Sequence, residues 1–286
     1  MRHSYEHGRQ NALGLNRTMH ARDYSDVLER IQAAIEEAKL VFSKYKLGEI
    51  ALEYKAGQDP VTQADKELDA VLRRNLLRAG EGWLSEESAD DLSRLRHERV
   101  WVVDPLDGTR EFVAGIPEFC VSIAYVEQGK PMAAGICNPA SGEVFLGSAD
   151  SGITYNGSSI QVSQRSTLQG ATILASRSEI KRGEWEAFQN APFKTQPMGS
   201  VAYKLARVAA GLADATFTLS PKHEWDIAGG AALVLSAGGH IQLPDGSALV
   251  CNGKKPLVSG LIACSSLLKE ELLQFLSLYP QLMPEQ

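Results

Sequence analysis

The sequence predicts an α+β fold in which helices and a largely antiparallel sheet pack in layers. Apolar residues recur at helical spacing near both ends of the chain and again after residue 200. Short β-like runs separated by glycine-containing turns fill the middle. No linker or low-complexity tract divides the 286 residues. We therefore expect one unit over residues 23–286, with an α+β half to about residue 155 and an α/β half from about residue 156.

Two amphipathic helices are predicted before the β-like region. The first starts near Asp26, where Asp26 and Glu29 resemble a capping box. Its apolar face consists of Val27, Leu28, Ile31, Ala34, Ile35, Ala38, Val41 and Phe42. The second follows the segment "DPVTQAD" and stops near Gly80. Residues 1–22 are polar and lack the apolar centre of a signal peptide, so we expect a disordered leader.

The middle of the chain is predicted to form an antiparallel meander. Its apolar runs, including "GWLSEES", "RVWVVD" and "FCVSIAYVE", are separated by glycine and by Asn-Pro or Asn-Gly turns. Helical spacing returns in "SVAYKLARVAAGLAD" and in "IAGGAALVLSAGG", which ends at Gly238 and Gly239. A single strand, "PLVSGLIACS", and a last helix, "LLKEELLQFLSLY", complete the predicted order.

Composition excludes several classes of function. A formal net charge of −6 disfavours binding of nucleic acid polymers, which requires clustered Lys and Arg. No apolar run reaches about 18 residues, so we expect no integral membrane span and a cytoplasmic protein. The four cysteines have no metal-ligand spacing and are expected to be free thiols in the core.

Four acidic motifs adjoin apolar or aromatic segments. They are "AGQDPVTQAD" with Asp59 and Asp65, "WLSEES" with Glu86 and Glu87, "WVVDPLDGT" with Asp104 and Asp107, and "HEWDIAGG" with Glu224 and Asp226. Each motif alone is also typical of a turn or a helix cap. Together they favour a cation site, because carboxylates beside buried apolar structure need compensating charge. Oxygen ligands without a Cys or His cluster indicate Mg²⁺.

Gly108 and Thr109 extend this prediction to phosphate. A glycine that opens a turn or helix exposes backbone N–H groups, which bind phosphate oxygens. Two divalent ions beside such amides suit in-line displacement at phosphorus, since one activates the attacking water and the other stabilises the leaving oxygen. The residues therefore predict hydrolysis of a phosphate ester.

These four motifs, in this order, resemble those of the inositol monophosphatase superfamily, a group of Mg²⁺-dependent, lithium-sensitive phosphatases. The resemblance extends from about Asp26 to Leu276. It implies a layered αβαβα sandwich and two or three Mg²⁺ ions in each active site. The implied metal ligands are Glu86, Asp104, the Leu106 carbonyl, Asp107 and Asp226.

The resemblance also implies catalytic roles. Asp59 and Thr109 would polarise the attacking water, and the amides of Gly108 and Thr109 would receive the phosphate. Glu87 is implied as a supporting residue. "DGTREF" and "EWD" are most similar to the 3′(2′),5′-bisphosphate nucleotidase branch, which implies removal of the 3′-phosphate from 3′-phosphoadenosine 5′-phosphate to give AMP and phosphate.

Substrate selectivity depends on residues beyond the metal ligands. The implied substrate-binding set comprises Glu86, Leu106, Asp107, Gly108, Thr109, Asp226, Ser200 and Lys204, with the last two meeting the second phosphate. An inositol-1-monophosphatase or another sugar or polyol phosphatase is the alternative, and Glu224 would then be available to inositol hydroxyls. A non-catalytic regulatory protein on the same fold is a third reading. The expected partner is a small phosphorylated metabolite, and a homodimer is left open.

Overall fold

A computed structural model describes residues 23–49, 53–54 and 60–282. The helices of this part are α1 (Ser25–Phe42), α2 (Gln63–Leu76), α3 (Thr109–Val113), α4 (Arg177–Lys181), α5 (Val201–Ala209), α6 (Glu224–Ser236) and α7 (Lys269–Leu276). Its first strands are β1 (Glu53–Tyr54), β2 (Pro60–Val61), β3 (Gly82–Ser85), β4 (Arg99–Asp107), β5 (Cys120–Glu127), β6 (Lys130–Asn138), β7 (Glu143–Ser148), β8 (Gly152–Tyr155) and β9 (Ser158–Ile160). The later strands are β10 (Thr172–Ser176), β11 (Lys194–Met198), β12 (Ala215–Thr218), β13 (Lys222–His223), β14 (Gly239–Gln242), β15 (Leu257–Val258) and β16 (Leu261–Ser265).

Two sheets and three helical layers alternate through the molecule. The larger sheet has the order β3-β4-β5-β6-β7-β8-β9, and the smaller has the order β11-β10-β12-β16-β14. Helices α1 and α2 pack on the outer face of the larger sheet, α5 and α6 lie between the sheets, and α7 packs on the outer face of the smaller sheet. This arrangement confirms the expected α+β fold and its αβαβα layers.

Strand β4 is buried on both faces, which accounts for the apolar run that precedes the first carboxylate. Val100 and Val102 contribute to the core shared with α5 and α6, whereas Trp101 and Val103 contribute to the core under α1 and α2. Such a strand needs no polar alternation. Its register against β5 shifts between Asp104 and Asp107, at the end of the strand.

The first helix begins differently from the prediction. Helix α1 starts at Ser25, one residue before the predicted start, and its N-cap makes no side-chain hydrogen bond, so the expected Asp26–Glu29 capping box is wrong. Asp26 is already inside the first turn, and Asp23 accepts a hydrogen bond from the Ser25 amide at 2.9 Å instead. A capping box occurs at α2, where the side chains of Thr62 and Asp65 each accept a hydrogen bond from a backbone amide of the first turn.

Three other expectations are corrected by the strand pairing and helix bounds. Strands β3 and β4 are parallel, not antiparallel. The connection between them, which contains a 3₁₀ turn at Ser93–Arg96, is long enough to bring the chain back to the end of the sheet at which β3 begins. The segment "PLVSGLIACS" forms two strands, separated at Gly260, where φ is 151°. Helix α6 starts at Glu224, earlier than predicted, because Asp226 caps the His223 amide at 3.1 Å.

The predicted leader, residues 1–22, and the predicted catalytic Asp59 lie outside the described residues. Within the described ranges, no helix combines the length and apolarity needed to cross a membrane.

Candidate active site

A cleft of about 310 Å³ lies where strand β4 ends and where α3, α5 and α6 begin. The cleft is lined by most of the site residues predicted from the sequence, namely Glu86, Asp104, Leu106, Asp107, Gly108, Thr109, Ser200, Lys204 and Asp226. Three of the four acidic motifs therefore supply residues that line this cleft. The catalytic position predicted in the fourth motif falls in the part of the chain that is not described.

An acidic cluster forms one part of this cleft. One carboxylate oxygen from each of Glu86, Asp104 and Asp226 lies within 4.8 Å of the others. Burial, followed by the charges of Glu86 and Asp107, raises the pKa of Asp104 well above its usual value. Burial, with the charges of Asp107 and Glu86, does the same for Asp226. Carboxylates held this close repel one another unless a cation or a proton lies between them.

Asp107 adjoins this cluster but is engaged by the start of α5. Its Oδ2 accepts hydrogen bonds from the Ser200 hydroxyl and from the Ala202 amide, each at 2.6 Å. Burial raises its pKa, although these hydrogen bonds and the charge of Lys204 act in the opposite direction. The carboxylate is therefore fixed in orientation at the edge of the acidic cluster.

Thr109 contacts two acceptors at the end of β4. Its hydroxyl lies 3.2 Å from Asp65 Oδ1 and 3.1 Å from the Leu106 carbonyl oxygen. Asp65 is itself fixed by the first turn of α2, since its Oδ2 accepts from the Thr62 amide at 2.7 Å and the Thr62 hydroxyl at 2.6 Å. Asp65 belongs to the acidic motifs that predicted a cation site, but it is absent from the implied ligands and catalytic residues.

Gly108 makes the turn from β4 into α3 with φ of 99°. That conformation is strained for residues with a side chain, and an added Cβ would lie 3.0 Å from the Glu118 carbonyl oxygen and from Phe119 Cβ. The glycine is therefore required by the backbone at this position.

The two residues predicted to meet a second phosphate have contacts inside the protein. Lys204 is 4% exposed, and its Nζ donates to the carbonyl oxygens of Ser200 at 3.1 Å and Met198 at 3.5 Å. Burial lowers the pKa of this lysine. The Ser200 hydroxyl donates to Asp107 and accepts from the Tyr203 amide at 3.0 Å. Their roles in substrate binding stay predictions.

Glu224 and Glu87 do not line the cleft. Glu224 is buried, and its two oxygens accept hydrogen bonds from the amides of Asn252 at 2.6 Å and Gly253 at 2.9 Å. The expectation that Glu224 is available to substrate hydroxyls is therefore wrong, because burial and these backbone contacts occupy it. The Glu87 amide donates to Ser85 Oγ at 3.3 Å in the turn after β3.

The cleft also contains residues that the sequence analysis did not single out. Lys222, on β13, forms an ion pair with Glu179 at 3.0 Å. The hydroxyls of Ser176 and Ser178, at the start of α4, lie 2.9 Å apart. The rings of His223 and Trp225 stack with centroids 4.4 Å apart. His223 and Trp225 lie within the motif "HEWDIAGG" and Lys222 directly precedes it, whereas no motif marks Ser176 and Ser178.

The donor set fits a hard divalent cation. The clustered groups are carboxylates, burial and then the neighbouring carboxylate charges raise the pKa values of Asp104 and Asp226, and no thiol or imidazole joins the cluster of Glu86, Asp104 and Asp226. Mg²⁺ prefers oxygen ligands of this kind. The fold and this cleft define a metal-dependent phosphomonoesterase, and comparison with known proteins supports the same class.

A family model described as "Inositol monophosphatase family" matches residues 23–280. The chain belongs to the inositol monophosphatase family. It is 30% identical over 246 residues to an inositol-1-monophosphatase of Rhizobium meliloti, covering 82% of this chain and 90% of that protein. It is 32% identical over 215 residues to a 3′-phosphoadenosine 5′-phosphate phosphatase of Mycobacterium bovis, covering 70% and 75%.

The fold has close counterparts among solved structures. The extragenic suppressor protein suhB of Bartonella henselae superposes with a TM-score of 0.74 at 28% sequence identity, covering 87% of this chain and 98% of that one. Family membership confirms the resemblance inferred from the motifs.

Proposed function

We propose that this protein is a Mg²⁺-dependent phosphatase that removes the 3′-phosphate of 3′-phosphoadenosine 5′-phosphate, giving AMP and phosphate. The observation that carries this proposal is the composition of the cleft beyond its acidic cluster. Lysines and serine hydroxyls line it there, and these groups suit a second phosphate. A relative of 32% identity bears the name of this activity.

The acidic cluster would hold the metal. Glu86, Asp104 and Asp226, with Asp107 and the Leu106 carbonyl, supply oxygen ligands for two or three Mg²⁺ ions. Bound Mg²⁺ lowers the pKa of a water molecule and neutralises charge on the phosphoryl oxygens. In the same cleft, the backbone amides of Gly108 and Thr109 receive phosphate oxygens.

Thr109 would orient the attacking water together with Asp59. A hydroxyl that donates its proton to one acceptor presents a lone pair to another donor. With its proton directed to Asp65 or to the Leu106 carbonyl, Thr109 Oγ1 accepts a hydrogen bond from the water. This contact fixes the water relative to the phosphorus atom.

Inositol phosphate or another polyol phosphate is the alternative substrate class, and Glu224 was the candidate acceptor for its hydroxyl groups. Glu224 instead accepts hydrogen bonds from the loop at residues 252–253. Selectivity between these substrates must come from groups that meet the part of the ligand remote from the scissile bond. The lysine and serine side chains that line the cleft fit a phosphate better than a ring of neutral hydroxyls.

Product analysis tests this proposal directly. Incubation of 3′-phosphoadenosine 5′-phosphate with protein and Mg²⁺ should give AMP, resolved from adenosine 3′-phosphate by chromatography. Release should stop in EDTA and should be inhibited by millimolar LiCl, since Li⁺ resembles Mg²⁺ in size but carries half its charge. Adenosine 3′-phosphate as the product, or full turnover in EDTA, would contradict the proposal.

A further inference from the structure

Lys222 lines the cleft from a fixed backbone position. Strand β13 pairs with β15 through Lys222 opposite Val258, and α6 begins two residues later at Glu224. The side chain is 15% exposed, and Nζ lies 3.0 Å from Glu179 Oε1. Lys222 lines the same cleft as Asp226. It is therefore a partly accessible cation beside the acidic cluster.

Glu179 holds this ammonium group in place. The carboxylate is 2% exposed and also accepts hydrogen bonds from the Thr218 hydroxyl at 2.6 Å and from Trp185 Nε1 at 3.2 Å. Burial raises the pKa of Glu179, but the charge of Lys222 and the hydrogen bonds outweigh it and lower the pKa. Glu179 is thus an ionised anchor, and its position is set by groups on three other segments.

Lys204 and Lys222 differ in accessibility. A small cavity of about 10 Å³ lies between them and Glu179, large enough for one water molecule. Lys204 directs its ammonium group to two backbone carbonyl oxygens. Within the described part of the chain, Glu179 is the one acceptor for Lys222, although an ammonium group has three N–H donors. Lys222 is therefore better placed to bind a ligand anion.

We propose that Lys222, positioned by Glu179, binds the second phosphate of the substrate, the one that is not hydrolysed. This inference rests on the proposed function and assigns its selectivity to a residue outside the metal site. Ser176 and Ser178, whose hydroxyls line the same cleft, supply further donors to that phosphate. Lys204 serves instead to fix the backbone around Ser200.

The test compares two substrates that differ only in the second phosphate, 3′-phosphoadenosine 5′-phosphate and adenosine 3′-phosphate. The ratio of their kcat/KM values is measured at saturating Mg²⁺ for the wild type and for Lys222→Met. This ratio should fall by about tenfold or more, mainly through KM for the bisphosphate, because a charge-assisted contact is lost. Lys222→Arg should largely preserve it, and Lys181→Met is the matched control at an exposed lysine.

Removing Lys222 alone leaves Glu179 buried without its cation, which can prevent folding. The double variant Glu179→Gln/Lys222→Met removes both charges, and thermal unfolding identifies which variant is folded. An unchanged ratio in a folded variant contradicts the role of Lys222 while leaving the proposed function intact. A wild type that does not hydrolyse the bisphosphate contradicts the proposed function itself.

Discussion

The hydroxyl of Thr109 lies 3.2 Å from a carboxylate oxygen of Asp65, which links the turn after β4 to the first turn of α2. Asp65 is 2% exposed and also accepts both hydrogen bonds that Thr62 donates. A buried, fully engaged carboxylate of this kind orients its partner hydroxyl. We therefore expect Asp65 to act as a positioning residue for Thr109.

Thr109→Ala should lower kcat by about 10²-fold, because the attacking water loses an oriented partner. Mg²⁺ affinity should be largely unchanged, since the carboxylate cluster remains. Thr109→Ser should recover most of the activity. Steady-state kinetics with calorimetric titration of Mg²⁺ separates the two effects, and abolished Mg²⁺ binding in Thr109→Ala would show that the water-orienting role is incorrect.

Asp65→Asn should also lower kcat, and its effect should overlap with that of Thr109→Ala. In the double variant the two losses should be less than additive, because both act through one hydroxyl. The variant should in addition lose about 1 kcal/mol of unfolding free energy through the weakened α2 cap. Fully additive losses in kcat would indicate that Asp65 acts independently of the Thr109 hydroxyl.

Asp104→Asn should reduce kcat by at least about 10³-fold, because it removes charge from the acidic cluster while preserving shape. Without metal, the Asp104→Asn variant should be at least as stable as the metal-free wild type, since the substitution neutralises a buried carboxylate that its neighbours repel. Asp26→Asn is the control, at an aspartate whose side chain is 82% exposed. Retained turnover, or a marked loss of thermal stability in EDTA, would contradict this account of the cluster.

Stabilisation by Mg²⁺ should increase with pH above the ordinary carboxyl range of about 4. In the folded, metal-free protein the pKa values of Asp104 and Asp226 are raised. The folded state is therefore most stable while both carboxyl groups are protonated, and it loses stability as the pH rises through the raised pKa values. Mg²⁺ offsets the repulsion only when the groups are ionised. The gain in melting temperature on adding Mg²⁺ should therefore grow with pH, and a pH-independent gain would contradict this.

Glu224→Gln should lower both unfolding free energy and Mg²⁺ affinity. Glu224 joins the start of α6, which carries Asp226, to residues 252–253, which also accept hydrogen bonds from Arg94. An amide cannot accept both backbone hydrogen bonds, so we expect a loss of about 1–3 kcal/mol in urea denaturation. Glu270→Gln is the exposed control. Reduced stability with wild-type Mg²⁺ affinity would limit Glu224 to a structural role.

The acidic cluster could be predicted because each carboxylate adjoins a recognisable local pattern, such as the apolar run before Asp104. The contribution proposed for Lys222 could not be predicted, since it depends on an ion pair with Glu179 from a distant segment. The prediction that Glu224 is available to substrate was also wrong. Its partners are backbone amides of a loop, and the pattern of side chains in the sequence does not indicate such contacts. Period-two spacing identified the strands but not their direction, which left the parallel β3–β4 pair unrecognised.

We propose that the cleft joins a metal-binding acidic cluster to a site for a second phosphate. The most direct measurement compares wild-type kcat/KM for 3′-phosphoadenosine 5′-phosphate and for inositol 1-phosphate, under identical saturating Mg²⁺. We expect at least about a tenfold preference for the bisphosphate, the contribution of one charge-assisted contact. An equal value for both substrates, or a preference for inositol 1-phosphate, would contradict it.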